Sequence, residues 1–197
     1  MKMEKINEAI IRGTIISYAE LFSVTKGDEY YKIDVEVKRL SGETDIIPVV
    51  MPRQTIDPSA DYRDMRISLI GQVQTKRDDN GHLIMYVFTK KADIYFGYDD
   101  SEEDINEIKF TGNLKNKIIR KTNKRGIDIA DVNFLNKFYY YPCIVWNENV
   151  SKIKNMKKNE RVLAIGRFQS RQYLKEIDGE LESKLAFELS LSDLKTA

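Results

Sequence analysis

Asn7-Glu8-Ala9-Ile10-Ile11-Arg12-Gly13-Thr14-Ile15 and Asn106-Glu107-Ile108-Lys109-Phe110-Thr111-Gly112-Asn113-Leu114 read as two versions of one segment, with both the Asn and the Gly displaced by 99 positions. Further landmarks follow in the same order. Ile70-Gly71-Gln72 corresponds to Ile165-Gly166-Arg167, Asp79-Asn80-Gly81-His82 to Ile177-Asp178-Gly179-Glu180, and Ala92-Asp93-Ile94 to Ser192-Asp193-Leu194, at offsets between 95 and 100. A register held through so many landmarks indicates an internal duplication. The expected division is residues 1–98, an acidic linker at 99–104 reading DDSEED, and residues 105–197. Nothing in that run fixes its carboxylates, so it is expected to be solvated.

Each unit carries β signals and room for one helix. Ile33, Val35 and Val37 alternate with Asp34, Glu36 and Lys38, the period of a half-buried strand. The Asn-Gly or Asp-Gly dipeptide lies between two β-rich runs in both units, a hairpin signal because such residues tolerate positive φ. Val150, Ile153 and Met156 recur at helical spacing among lysines. Strand, strand, strand, helix, strand, strand is the order of a five-stranded OB barrel, so the expected fold is all-β, two tandem OB barrels, each with one short helix between its third and fourth strands. Gly13 and Gly112 interrupt the first strand and Gly71 and Gly166 the fourth, where a small closed barrel needs bulges.

Composition bounds the function. Hydrophobic residues at 42% and charged residues at 32% suit a folded chain. No apolar run has the length of a membrane span, and MKMEKINEAIIRGTII lacks the cleavage site of a signal peptide, so no membrane association and a cytoplasmic location are expected. Cys143 is the single cysteine and His82 the single histidine, which gives no disulfide and no Cys/His metal cluster. No phosphate-binding glycine motif is present, so neither an enzyme nor a cofactor is expected. The net charge of +1 hides an asymmetry: residues 1–98 hold 14 basic and 15 acidic side chains, DDSEED contributes −5, and residues 105–197 hold 18 basic against 11 acidic. The second unit is the one suited to an anionic partner.

NEIKFTGNL, YYYPCIVWNENVSKIKNMKKNERVLAIGRFQSRQY and LAFELSLSDL closely resemble the core motifs of the bacterial single-stranded DNA-binding protein family, over nearly all of residues 105–194. Over residues 6–96 the resemblance is visible mainly through the repeat. It implies sequence-independent binding of single-stranded DNA in replication, recombination or repair, and a two-barrel chain resembles the variant that reaches four barrels as a homodimer. Family members usually end in a tail with an acidic tip that recruits replication and repair proteins; a sequence that closes on Ser192-Asp193-Leu194-Lys195-Thr196-Ala197 is not expected to recruit partners that way.

A single strand offers base faces and phosphates, so a sequence-tolerant binder pairs aromatic platforms with a basic groove. On the third strand of the second unit Tyr140, Pro142, Ile144 and Trp146 share one face, and Tyr139, Tyr141, Cys143 and Val145 the other. Tyr140 and Trp146 match the family's stacking positions on this strand, and Tyr173 its stacking tryptophan on the next. Arg167, Gln169, Arg171 and Tyr173 share a face of the fourth strand, and Phe138 adds a platform from the preceding turn. Lys115, Lys117, Arg120, Lys121, Lys124 and Arg125 stand in KNKIIRKTNKRG without an acidic neighbour, as a phosphate clamp; six phosphate contacts would give a log–log salt slope of about −4. The lysines of the helix read as a solvated face, and the acidic residues as avoiding this groove. In the first unit, setting Val50-Met51 against Val145-Trp146 puts Asp45 opposite Tyr140, Met51 opposite Trp146 and Asp78 opposite Tyr173. That unit is therefore expected to bind DNA weakly and to serve assembly or partner contact, with Tyr30, Tyr31, Tyr86 and Phe88 left as a different aromatic face. The competing reading is a primosome-type adaptor in which the barrels act through protein contacts.

Overall fold

The computed structural model describes residues 4–97, 102–121, 126–177 and 180–196. In the first half lie β1 (Asn7–Ile15), β2 (Glu20–Thr25), β3 (Asp28–Lys38), β4 (Thr44–Pro52), β5 (Arg66–Arg77) and β6 (Leu83–Tyr95). The second half holds β7 (Ile105–Lys121), β8 (Asp128–Asn136), β9 (Tyr139–Trp146), α1 (Glu148–Asn155), β10 (Arg161–Ile177) and β11 (Glu180–Thr196). Alternation places the core as the sequence requires: Ala9, Ile11 and Ile15 of β1 and Ile33, Val35 and Val37 of β3 point inward, and their neighbours do not.

Pairing closes a circuit in each half. β1 pairs with β3 and β5, β3 with β4, β4 with β6 in parallel, and β6 with β5. The second half repeats this as β7 with β8 and β10, β8 with β9, β9 with β11 in parallel, and β11 with β10. The duplicated asparagine does the same work twice. Asn7 Nδ2 donates to the Val73 carbonyl at 2.8 Å and its Oδ1 accepts from Val73 N at 3.0 Å; Asn106 makes the same pair with Phe168 at 2.7 and 2.9 Å. Gly71 and Gly166 sit at the bulges of β5 and β10, where a Cβ would collide with the carbonyls of Phe88 and Ser190.

The two halves join through their first strands. β1 and β7 run antiparallel with Ala9 opposite Ile108, which are equivalent residues of the repeat, so this pair lies on a pseudo-two-fold axis. The core is continuous across the join, and the buried Tyr141 hydroxyl donates to the Val73 carbonyl at 2.9 Å. In α1, Val150 and Ile153 are fully buried and Met156 follows them against the second half, as their spacing required.

Three expectations are corrected. No helix lies between β4 and β5 among the described residues: Asp57 accepts from the Ser59 N–H and Asp61 from the Arg63 N–H, and such side-chain bonds hold turns that compete with a helix. The acidic run is anchored where it is described, because Glu102 meets Arg12, Arg66 and the Tyr95 hydroxyl, and Asp104 meets Arg66 and the Lys38 N–H. The alignment of the third strands slips by one. β4 meets β6 through Val49 and Val87, while β9 meets β11 through Cys143 and Leu189; Ile46 N donates to Ser170 Oγ as Tyr140 N donates to Thr75 Oγ1. Ile46 therefore stands opposite Tyr140, Pro52 opposite Trp146 and Asp45 opposite Tyr139. A one-residue slip exchanges the faces of a strand. The equivalent offsets in space run from 94 on the third strand, Ile46 to Tyr140, to 102 on the last, Val87 to Leu189.

Candidate nucleic-acid interface

The face of β9 divides by alternation with one exception, since Ile144, expected on the outer face, is buried as well. Tyr141, Cys143 and Val145 enter the core, while Tyr140, Pro142 and Trp146 stay half-exposed on the outer surface. Burial pushes the Cys143 thiol well up, so it is inert as a nucleophile. Trp146 opens onto a cleft of about 480 Å³ shared with Asn147, Asn149, Arg167, Ser190 and Ser192. Phe138, in the tight turn between β8 and β9, is 73% exposed, and Lys137 Nζ lies 4.5 Å from its ring centre. Tyr173 is 39% exposed and lines a second cleft with Pro142, Leu185 and Phe187, together with His82, Leu83 and Met85 of the first half. Gln169 and Arg171 line a third groove against the β3–β4 connection. The platforms are thus spread along the surface of one half rather than gathered at one point. That distribution suits an extended strand.

The cations divide more sharply than their sequence spacing suggests. Lys117 Nζ donates to the carbonyls of Ile153, Lys154 and Met156 at 2.6–2.8 Å, satisfying the exposed C-terminal end of α1. It is a helix cap and leaves the expected phosphate clamp. Arg120 is held by both oxygens of Asp131 at 2.8 and 2.9 Å. Lys115 meets the Asn159 side chain at 3.1 Å among the described residues. The Lys121 side chain, Lys124 and Arg125 lie outside the described residues. Two of the helix lysines are also engaged, Lys152 with Asp193 and Lys154 with Asp128.

Acidic groups do enter this surface, against expectation. Glu188, on β11, accepts from Gln169 Nε2 at 3.2 Å, and its carboxyl is raised above the usual range by burial, with Arg171 opposing. Arg167 Nη2 donates to Gln169 at 2.9 Å, while its Nε lies 3.8 Å from Asp45. Burial and the adjacent Arg39 lower the Arg167 guanidinium, and Asp45 pulls the other way.

Asp45 is the residue that sequence reasoning misjudged most. It appeared as a lost aromatic of the first half; in space it is fully buried at the join, paired with Arg39 and accepting from Ser170 N at 3.0 Å and Asn106 Nδ2 at 3.4 Å. Its burial beside β10 connects the first half to the strand that carries Arg167 and Tyr173. No short-range pattern marks such a role, since Ser170 is 125 positions away.

No protein-family model matches the chain, and no curated protein matches it in sequence. Solved structures do match in shape. The wild-type single-stranded DNA-binding protein from Thermus aquaticus superposes with a TM-score of 0.78 at 13% identity, over 99% of this chain and 94% of that one. The chain shares the fold of that Thermus protein. A deletion mutant of the same Thermus protein gives a TM-score of 0.73 at 14% identity, over 98% and 95% of the two chains. Coverage of both chains end to end means that the duplicated arrangement itself is shared, and not only one half of it.

Proposed function

We propose that this chain binds single-stranded DNA without reading a defined sequence, through two five-stranded OB barrels of which the second makes the main contact. Bases stack on Trp146, Tyr140, Tyr173 and Phe138; Lys115, Arg167 and Arg171 meet phosphates beside them, and Gln169 supplies hydrogen bonds. Arg120 joins this set by exchanging Asp131 for a phosphate, and the loop cations Lys121, Lys124 and Arg125 extend it. The observation that carries this reading is the outward face of β9, where Trp146 opens onto a cleft with Arg167 while the alternate residues fill the core. Each stacked base contributes roughly 1–3 kcal/mol, so a few platforms suffice for tight binding. Binding, not catalysis, is the activity, and its use is the protection of single strands in replication, recombination or repair. Two copies of the chain would present four barrels.

Trp146 is the only tryptophan, so its fluorescence reports this site directly. Oligo-dT is expected to quench it saturably, more weakly as salt rises, and duplex DNA of equal length much less. A flat signal with oligo-dT would remove the reading and leave a protein-contact adaptor as the better one.

A further inference from the structure

The first half has its own aromatic cleft. Phe22 on β2, Tyr30 on β3, Val50 on β4, Gln74 on β5 and Tyr86 and Phe88 on β6 line a depression of about 170 Å³ on the outer surface. Strand register puts them there: Val50 lies beside Phe88, Phe88 pairs with Gln72, and Tyr86 pairs with Gln74. Phe22 meets Tyr86 edge-on at 4.9 Å, and Tyr30 tilts against Phe88 at 5.7 Å. Tyr31, grouped with these in the sequence, points into the core instead.

In the second half the equivalent positions are Ile144 for Val50, Gln169 for Gln74, Glu188 for Tyr86 and Ser190 for Phe88. The first half has thus lost aromatic residues on its third strand and gained them on its last, within the same outer face. Resting on the reading that bases stack on this face, we propose that the Phe22–Phe88 cleft takes one pyrimidine base of the same bound strand. The depression, though open to solvent, has room to seat one six-membered ring, since even an enclosed cavity of about 150 Å³ takes up benzene. The chemistry fits as well. Gln74 Oε1 accepts the Tyr86 hydroxyl at 3.2 Å, which leaves its amide N–H groups to donate to a pyrimidine carbonyl such as O2. Lys76 Nζ sits 3.6 Å from the Phe22 ring centre at the rim, without a carboxylate partner among the described residues, and is placed for the phosphate of that nucleotide.

The test uses the full chain with dT and dA oligonucleotides of equal length, and a dT oligonucleotide carrying 5-iodouracil for photo-crosslinking. Phe22→Ala and Gln74→Ala are each expected to weaken dT binding about tenfold and to narrow the dT-over-dA preference, while saturating dT still quenches Trp146. Gln74 is at the surface, so its variant tests the cleft even where Phe22→Ala fails to fold. Crosslinks within residues 20–32 or 83–90 support the proposal. Trp146 quenching with crosslinks confined to residues 105–197, and an unchanged base preference in Gln74→Ala, overturn it and leave the second-barrel reading intact. Loss of Trp146 quenching in the unaltered protein, with no crosslink anywhere, overturns both.

Discussion

Replacing Asp45 with asparagine removes one charge from the join between the halves and changes almost nothing in shape. Asp45 is fully buried, and the Arg39 guanidinium paired with it is only 22% exposed. Breaking a buried pair by deleting one partner costs about 3–5 kcal/mol, because the surviving charge stays out of water without compensation. Arg39 keeps some solvent, so the low end, about 3 kcal/mol, is the expected loss. The Ser170 N–H and the Asn106 amide keep an acceptor only if the new side-chain amide turns its oxygen toward them, which leaves its NH₂ facing Arg39. For a chain of this size each kcal/mol moves Tm by roughly 2–4 °C, giving a fall of about 6–12 °C in a calorimetric or circular-dichroism melt. The double replacement Asp45→Leu with Arg39→Met should recover only part of that loss, since apolar substitutes for a buried pair are often neutral or stabilising but the Ser170 N–H then loses its acceptor. A fall below about 2 °C would refute the reasoning, because the pair would then be behaving like a solvent-screened surface bridge.

Gly166→Ala drives a Cβ into the Ser190 carbonyl and should destabilise by about 1–3 kcal/mol in denaturant titration, as overpacking does. Lys115→Ala should reduce the salt slope for a single-stranded oligonucleotide by about 0.7 with little change in Tm, whereas Lys117→Ala should leave that slope alone and lower Tm through the lost cap on α1. Glu188 titrates higher in the folded chain than in the unfolded one. Its contribution to stability is therefore present at low pH, below the ordinary carboxylate range, and is lost as pH rises through the raised value. The same protonation removes a negative charge from the strand-binding face, so oligo-dT affinity should rise on acidification, and Glu188→Gln should raise it at neutral pH and flatten that part of the profile.

Local pattern carried the sequence reading a long way. The alternation in β1 and β3, the Val150/Ile153/Met156 stripe of α1 and the glycines Gly71 and Gly166 are short-range features with the structural consequence their spacing implies, whereas Gly13 and Gly112 pair without a bulge. The division of β9 into core and outer faces was legible for the same reason. Failures came where the answer depended on another strand. Val50-Met51 and Val145-Trp146 suggest one alignment of the third strands, but their register is set by parallel pairing with β6 and β11, which no local motif reports. The absent helix of the first half is a case of side-chain bonds from Asp57 and Asp61 outcompeting a pattern borrowed from the other half.

Legible in the sequence alone were the internal repeat, the strand periods, the helical stripe of α1 and the alternation of side chains along β9, because strand and helix periods are properties of neighbouring residues. Tertiary structure alone decided that Asp45 joins the halves, that Lys117 caps a helix, that Asp131 and Glu188 stand among the cations, and that Phe22, Tyr30, Tyr86 and Phe88 form one cleft. Each of these depends on residues brought together by closure of a sheet from distant parts of the chain. Charge and hydrogen-bond partners are chosen by that closure, and a one-residue change of register would choose different ones.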